Sequence, residues 1–414
     1  MPALPTRSKH TVLKQMCELI PPGLVAKLAR EHGVAARAFS CWSHVVAMLY
    51  AHVTHALGLN DVCDSLRNHG GVLAAIRGAR APSRNGLSHA NKTRKAIMAE
   101  DLFWRVLKHL ESTVPGFGGR TYRGFPRRFK RAIHVVDSTT ISLIAHCMDW
   151  ASHRRRKAAA KLHLRLNLQS LLPRFAIVAT AREGDVSRSR EVCAGLKRGE
   201  VALFDKGYIH FGHLYELTER GVLWVTRAKD NMKVRCLKRL QKKRSGNILR
   251  DDVVRLTDSA TGKKYKEPFR RIVALVELKG EWVEMTFISN EMTWAAGTVA
   301  DLYRCRWSIE AFFKQIKQVL QLCDFLGHSQ NAIQWQVWTA LLVFVLLRFL
   351  AFTSNWIHSF IRIFTTIRAV LWSRFDLLRL LCSYGTASGS FRMLSAPELA
   401  YLPGMEPTYG TAHG

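Results

Sequence analysis

The hydrophobic rhythm of this chain changes twice, and those changes limit what it can fold into. Over residues 10–112 apolar side chains recur at spacings of three and four, as in Val12, Cys17 and Leu19 and again in Phe39, Trp42, Val45, Val46, Leu49, Tyr50 and Val53. That spacing belongs to helices that bury one face. Pro21-Pro22-Gly23, Gly70-Gly71 and Ala81-Pro82-Ser83 mark turns between them. Arg84-Asn85-Gly86-Leu87-Ser88 leads into a polar helix over Ala90–Leu110 with Lys92, Arg94 and Lys95 in its first half. Basic residues there oppose the helix dipole, which suits either a nearby anion or a solvated face.

From about residue 130 the period becomes that of strands. Ala132–Ile144, Lys161–Gln169 and Arg174–Ala181 are β-branched and partly alternating. Ser187–Lys197 is a short helix candidate, Val201–Phe204 an apolar strand ending at Asp205, and Phe211–Arg220 a second helix. Three strands, helix, strand, helix is the order of a ribonuclease H-like α/β core. Four more strand-like runs over 222–292 read as a β insertion at about 222–295, and from Thr298 the chain is helical to about 384. The expected division is a helical N-terminal region at 1–120 that binds DNA, a core at 130–350, and C-terminal helices with an irregular tail at 351–414.

Composition narrows the partner. The chain carries 62 Lys+Arg against 31 Asp+Glu, a net charge of +31, with 48% hydrophobic residues. Such a core excludes a disordered chain, and such a charge excess points to a polyanion, nucleic acid before an anionic membrane surface. The nine cysteines are scattered and never spaced C-x-x-C, which argues for a reducing compartment and against a zinc ribbon or a disulfide framework. The opening MPALPTRSKH lacks an apolar signal core, and the most apolar stretch, Val337–Phe352, is broken by Arg348. That stretch reads as a buried helix, and the expected location is the cytoplasm.

Two aspartates and one glutamate stand in positions where chemistry is possible. Asp137 lies inside an apolar strand and Asp205 closes another; either is costly if buried without a partner, although a capping role would also explain Asp205. On a helix beginning near Ala300, Tyr303, Arg306, Glu310, Lys314 and Lys317 share an arc of about 80° at ~100° per residue. The apolar Leu302, Ile309, Phe312, Phe313 and Ile316 face the other way. A surface i,i+4 ion pair is one reading of Glu310. The other depends on the sheet: if the first and fourth strands are neighbours, both aspartates reach one edge, and Glu310 can join them. Three converging carboxylates suit two Mg²⁺ ions ~3.5–4 Å apart.

The spacing Tyr303-x2-Arg306-x3-Glu310-x6-Lys317, with Asp137-Ser138-Thr139 and Asp205-x-Gly207-Tyr208, resembles the signature motifs of bacterial insertion-sequence transposases of the IS-four family. The carboxylates are separated by 68 and 105 residues, the longer gap resembling that family's β insertion, and Ile288-Ser289-Asn290 also fits. The resemblance covers about 130–350. It implies a DDE transposase with Asp137, Asp205 and Glu310 as catalytic ligands of two Mg²⁺ ions, Mn²⁺ being a substitute. It further implies action on double-stranded DNA, both terminal inverted repeats and target, by a homodimer in a synaptic complex in a bacterial cytoplasm, near the nucleoid and with no membrane. Tyr303, Arg306 and Lys317 would contact DNA backbone, joined by Lys314. In some members an aromatic holds a flipped base, and Trp294 and Trp307 have the position, with core packing the plainer role for each. The basic runs around Arg154, Arg155 and Arg156 and over Lys233–Arg244, which includes Lys242 and Lys243, suit phosphate or simply solvent. Lys161 and His163 lie on a strand beside Asp137, while His210 and His213 lack a third ligand. Two other functions fit the same motifs: an inactive DNA-binding relative, and a ribonuclease H-like nuclease that cuts without joining.

Overall fold

The structure, a computed structural model, describes residues 6–36, 38–120, 124–143, 152–153, 157–180, 185–241, 246–278, 280–319 and 326–383. Its strands are β1 (Ile133–Leu143), β2 (Ser152–His153), β3 (Lys157–Asn167), β4 (Leu172–Thr180), β5 (Val201–Phe204), β6 (Leu223–Arg227), β7 (Val234–Arg239), β8 (Ile248–Leu256), β9 (Phe269–Leu278) and β10 (Glu281–Ser289). They form one sheet in the order β2-β3-β1-β5-β6-β10-β9-β8-β7, with β4 also paired to β3. β1 runs antiparallel to β3 and parallel to β5, and β5 runs parallel to β6. The five strands β4-β3-β1-β5-β6 therefore make the ribonuclease H-like core.

The strand at 222–228 turns out to belong to that core and not to an insertion. Trp224, Val225 and Thr226 are buried, as a central strand covered on both faces requires. The strands after it extend the same sheet. β7 was hidden from the sequence by its composition: Arg235, Lys238 and Arg239 mask the strand, and all three are exposed on the sheet's last strand. Charges there also discourage edge-to-edge pairing.

Alternation along β1 divides its side chains between two layers. Ile133 and Val135 enter the main core; Val136 enters a second one with Val192, Phe204, Tyr208 and Trp224. The second layer is covered by helices Asp185–Cys193 and Phe211–Glu219. The main layer receives Ala296–Arg304 and Trp307–Lys314, then the 24-residue helix Gln330–Thr353. That last helix is longer than the interruption at Arg348 suggests, and by length and hydropathy alone it could cross a membrane. In the fold, 78% of its apolar window is buried. It packs on helices Cys41–Thr54 and Ile97–Thr113 from the N-terminal region and on β4. One hydrophobic core thus runs from Val12 through the sheet to Leu381.

The polar helix expected over 90–110 is broken into Arg84–Thr93 and Ile97–Thr113. Arg94 breaks it by turning extended (φ −73°, ψ 120°) and burying its guanidinium against the carbonyls of Phe39 and Ser40. It is a structural residue and does not meet an anion. Nearby, His44 is fully buried, with Nε2 2.8 Å from Asn91 Oδ1. Burial pushes its imidazole down to about 3. The unfolded chain takes up this proton near pH 6.5, so stability is complete above that pH and falls below it, by about 2 kcal/mol at pH 5. Melting temperatures of wild type and His44→Gln between pH 7.5 and 5 test this. Parallel curves would show that His44 contributes nothing to the acid sensitivity.

Candidate active site

Val136 on β1 lies opposite Phe204 on the parallel β5. The next residue on each strand is an aspartate, so Asp137 and Asp205 lie side by side at one sheet edge. Asp137 is largely buried, accepts a 2.7 Å hydrogen bond from the Ser138 backbone N–H, and accepts another from Arg306 Nη1 at 2.9 Å. Burial, only partly offset by Arg306, pushes its carboxyl up to about 6. Asp205 caps the turn at 206–208, accepting from Gly207 N–H at 3.3 Å.

Glu310 reaches the same place from the next layer. Arg306 Nη2 donates to Glu310 Oε1 at 2.9 Å, so one guanidinium bridges Glu310 and Asp137. Asp137, Ser138, Thr139, Asp205, Arg306, Glu310, Phe313, Lys314 and Lys317 line a single cleft of ≈ 520 Å³. The helix expected to present these residues is not continuous. It breaks at Cys305 and Arg306, where backbone bonds run three residues back, and winds into a π-helical turn at Gln315–Val319 that carries Lys317. Turns of that type often mark functional sites. Tyr303 lies on the buried side, its ring 4.9 Å from that of Phe287, with the Arg306 guanidinium carbon 5.7 Å from its centroid. Tyr303 is therefore next to the cleft but does not line it. Burial opposes the charge on Arg306, but Tyr303, Asp137, Glu310 and Asp205 outweigh it and hold the guanidinium above its ordinary value.

A family model described as "Transposase DDE domain" matches residues 128–346, more than half of the chain. The chain belongs to the DDE transposase family. A second model, the domain of unknown function DUF4372, matches residues 8–76. The transposase is 27% identical over 301 residues to y4zB of Sinorhizobium fredii, named as a transposase, covering 72% of this chain and 80% of that one. It is 26% identical over 267 residues to a protein named as a transposase for insertion sequence element IS5377 of Geobacillus stearothermophilus, covering 64% and 68%. It is 23% identical over 199 residues to the transposase InsG for insertion sequence element IS4 of Escherichia coli, covering 46% and 43%. A cryo-EM synaptic complex of the piggyBac transposase with hairpin DNA aligns with 91% of this chain and 83% of that one at 10% identity, with a TM-score of 0.44, too distant to bear on the site.

DDE transposases work with divalent metal ions, and the cleft fits that chemistry in its donors: three carboxylates, hard oxygen ligands on three different elements. Its present arrangement is not a finished cage. Among the described residues no three Asp, Glu, His or Cys side chains stand close enough together to hold an ion. Arg306 donates to both Asp137 and Glu310 at 2.9 Å, so its fork takes the place between those two carboxylates.

A fourth carboxylate of the transposase went unrecognised in the sequence. Asp185 opens the helix Asp185–Cys193, which packs on β3 and β1. It accepts from Lys161 Nζ at 2.8 Å and from Ser138 Oγ at 2.6 Å, with His163 Nδ1 3.8 Å away. Burial would raise its carboxyl, but those hydrogen bonds hold it below the ordinary range. A Cβ on Gly207 would stand 3.6 Å from both Asp185 and Asp205, so the two acids flank one glycine. The pair explains Lys161, which is tied down beneath Ser138, and His163, which is fully buried against Tyr208 OH at 3.3 Å. Asp185→Ala leaves Lys161, whose side chain is 14% exposed, without its partner and should cost about 1.5–3 kcal/mol in urea unfolding. Lys161→Met/Asp185→Leu should recover much of that loss; a double variant as unstable as the single would contradict the pairing.

Among the basic residues expected at the site, Lys314 and Lys317 line the cleft. Arg154, Arg155, Arg156, Lys242 and Lys243 lie outside the described residues. Trp294 and Trp307 are half-buried against the main core, Trp294 with its ring 5.1 Å from Phe129.

Proposed function

We propose that this transposase binds the terminal inverted repeats of its element and cuts and joins DNA at the cleft, with Asp137, Asp205 and Glu310 holding two Mg²⁺ ions, for which Mn²⁺ can substitute. The observation that carries this reading is that the three carboxylates line one cleft, two of them joined by Arg306, on the edge formed by the parallel strands β1 and β5. When bound, such a pair of cations lowers the pKa of the attacking oxygen and stabilises the leaving one. The chain's own groups do the rest. Arg306, Lys314 and Lys317 neutralise the phosphates on either side of the cut. Tyr303, held under Arg306, keeps that fork aimed at the backbone. The Ser138 N–H fixes one lobe of Asp137, leaving the other for exchange between Arg306 and a cation. The exposed basic strand β7 extends the DNA path beyond the cleft. The active form is a homodimer that pairs two element ends in the bacterial cytoplasm.

The test is incubation of the full chain with Mg²⁺, a labelled duplex element end and supercoiled target DNA. Expected products are a free 3′-hydroxyl at the element boundary and its covalent joining to target. Cleavage without joining would reduce the protein to a nuclease, and duplex binding without either would leave an inactive relative.

A further inference from the structure

The helix Arg84–Thr93 is built more like a reading head than like a solvated connector. We propose that its outer face enters the major groove of duplex DNA and reads the sequence of the element ends, an inference that rests on the end-binding function above. Its inner face is Leu87, Ala90 and Asn91, at 0%, 2% and 1% exposure. Its outer face is Asn85, Ser88, His89 and Lys92, all exposed and spaced as one helical stripe, with Arg84 exposed at its start. These residue types carry the side-chain groups that discriminate base edges: Arg and Lys for guanine, Asn for adenine, Ser for either. The 10-residue helix is about 15 Å long, a fit for a groove about 12 Å wide.

Charge argues for DNA as the occupant. Between Asp64 and Glu100 the chain has seven Arg or Lys and no acidic residue. The Asn–Ser–His stripe adds both donors and acceptors to that charge, as base-edge readout requires.

The mounting is rigid, as a base reader requires. Ser83 caps the helix by accepting from Gly86 N–H at 3.1 Å. Asn91 Oδ1 lies 2.8 Å from His44 Nε2, and its backbone carbonyl accepts from Asn331 Nδ2 at 2.9 Å. Asn331 also accepts from Ala96 N–H at 2.9 Å, and Trp335 Nε1 donates to Arg94 O at 2.7 Å. Asn331 and Trp335 belong to Gln330–Thr353, whose Gln334 donates to Val178 O on β4. The reading helix is thereby fastened to the catalytic sheet, so that the base it reads fixes which phosphate reaches the cleft.

Selection of duplexes from a randomised library by the full-length protein tests this, comparing wild type with Asn85→Ala/His89→Ala and with Arg84→Ala/Asn85→Ala/His89→Ala/Lys92→Ala. All four positions are exposed and alanine favours helix, and matching melting temperatures will verify the fold. Wild type should enrich one motif. The double variant should bind that selected duplex about 5- to 150-fold more weakly per lost base contact, while binding a scrambled duplex within about threefold of wild type. Loss of Arg84 or Lys92 should lower the slope of log affinity against log salt by about 1 each where it touches phosphate. If both variants enrich the wild-type motif with wild-type affinity, the assignment of this helix is wrong while end binding stands. If wild type itself enriches no motif, the end-binding reading fails, and this inference with it.

Discussion

Single replacement of Asp137, Asp205 or Glu310 by alanine is expected to lower metal-dependent strand cleavage by on the order of 10³-fold or more and to leave duplex affinity within about threefold. The size follows from position. Even an outer partner of a metal site is worth about 10–100-fold, and these three are the only carboxylates among the described residues that line the cleft. On the proposed function, DNA affinity comes from the excess of Lys and Arg over the scarce acids, and removing a negative charge beside phosphate should not weaken it. Gel shifts and cleavage of a labelled element end, run on the same preparations, separate the two effects. Cleavage that survives all three substitutions would move the chemistry to another site. Loss of binding and cleavage in parallel would mean that these residues serve the fold and not the reaction.

Arg306→Ala should change how the free protein responds to metal. In the wild type the guanidinium satisfies Asp137 and Glu310 at 2.9 Å each and occupies the place between them. Removing it leaves a buried carboxylate without its cation, at a cost of about 3 kcal/mol in chelator. Saturating Mg²⁺ should return about 2.7 kcal/mol at a hundredfold excess over its dissociation constant, seen as a rise in melting temperature. Wild type without DNA should show a much smaller rise, because its internal cation already fills the role. Arg306→Lys keeps the charge but not the fork, and should fall between the two. Equal Mg²⁺-induced shifts in wild type and Arg306→Ala would show that the guanidinium does not compete with metal.

The legible and illegible parts of this fold divide by range of interaction. Asp137 and Asp205 stand out locally, as acids among strand hydrophobics, and Glu310 through its helical arc. Their adjacency needs only that β1 and β5 be neighbours, which the strand order already suggests. The clamp by Arg306 is a contact across 169 residues, which no local pattern encodes. The same holds for Asp185, whose value comes from Lys161 on β3 and Ser138 on β1. Helix continuity failed as an expectation in two places for one reason. Arg94 turns extended and Arg306 keeps helical dihedrals in a turn wound three residues back, and in each case oxygens far along the chain, the carbonyls of Phe39 and Ser40 or the carboxylate of Asp137, compensate the arginine's burial. Tyr303 lies on a covered face and not on the expected open one. β6 was misplaced because burial on both sides erases the alternation that would have marked it.

The long helix Gln330–Thr353 has a consequence for how such a gene can evolve. Its flanks are claimed at once by the N-terminal helices, by β4 and by the C-terminal helix Phe360–Ala369. Even the arm near Ser8 is stitched to Arg374. The N-terminal helical region and the catalytic region are therefore not exchangeable modules. A shortened gene copy lacking its first 120 codons would yield a chain whose most apolar helix has lost the cover of the N-terminal helices and keeps only that of β4 and the C-terminal helices. Such a deletion exposes a long apolar face, which is an aggregation hazard.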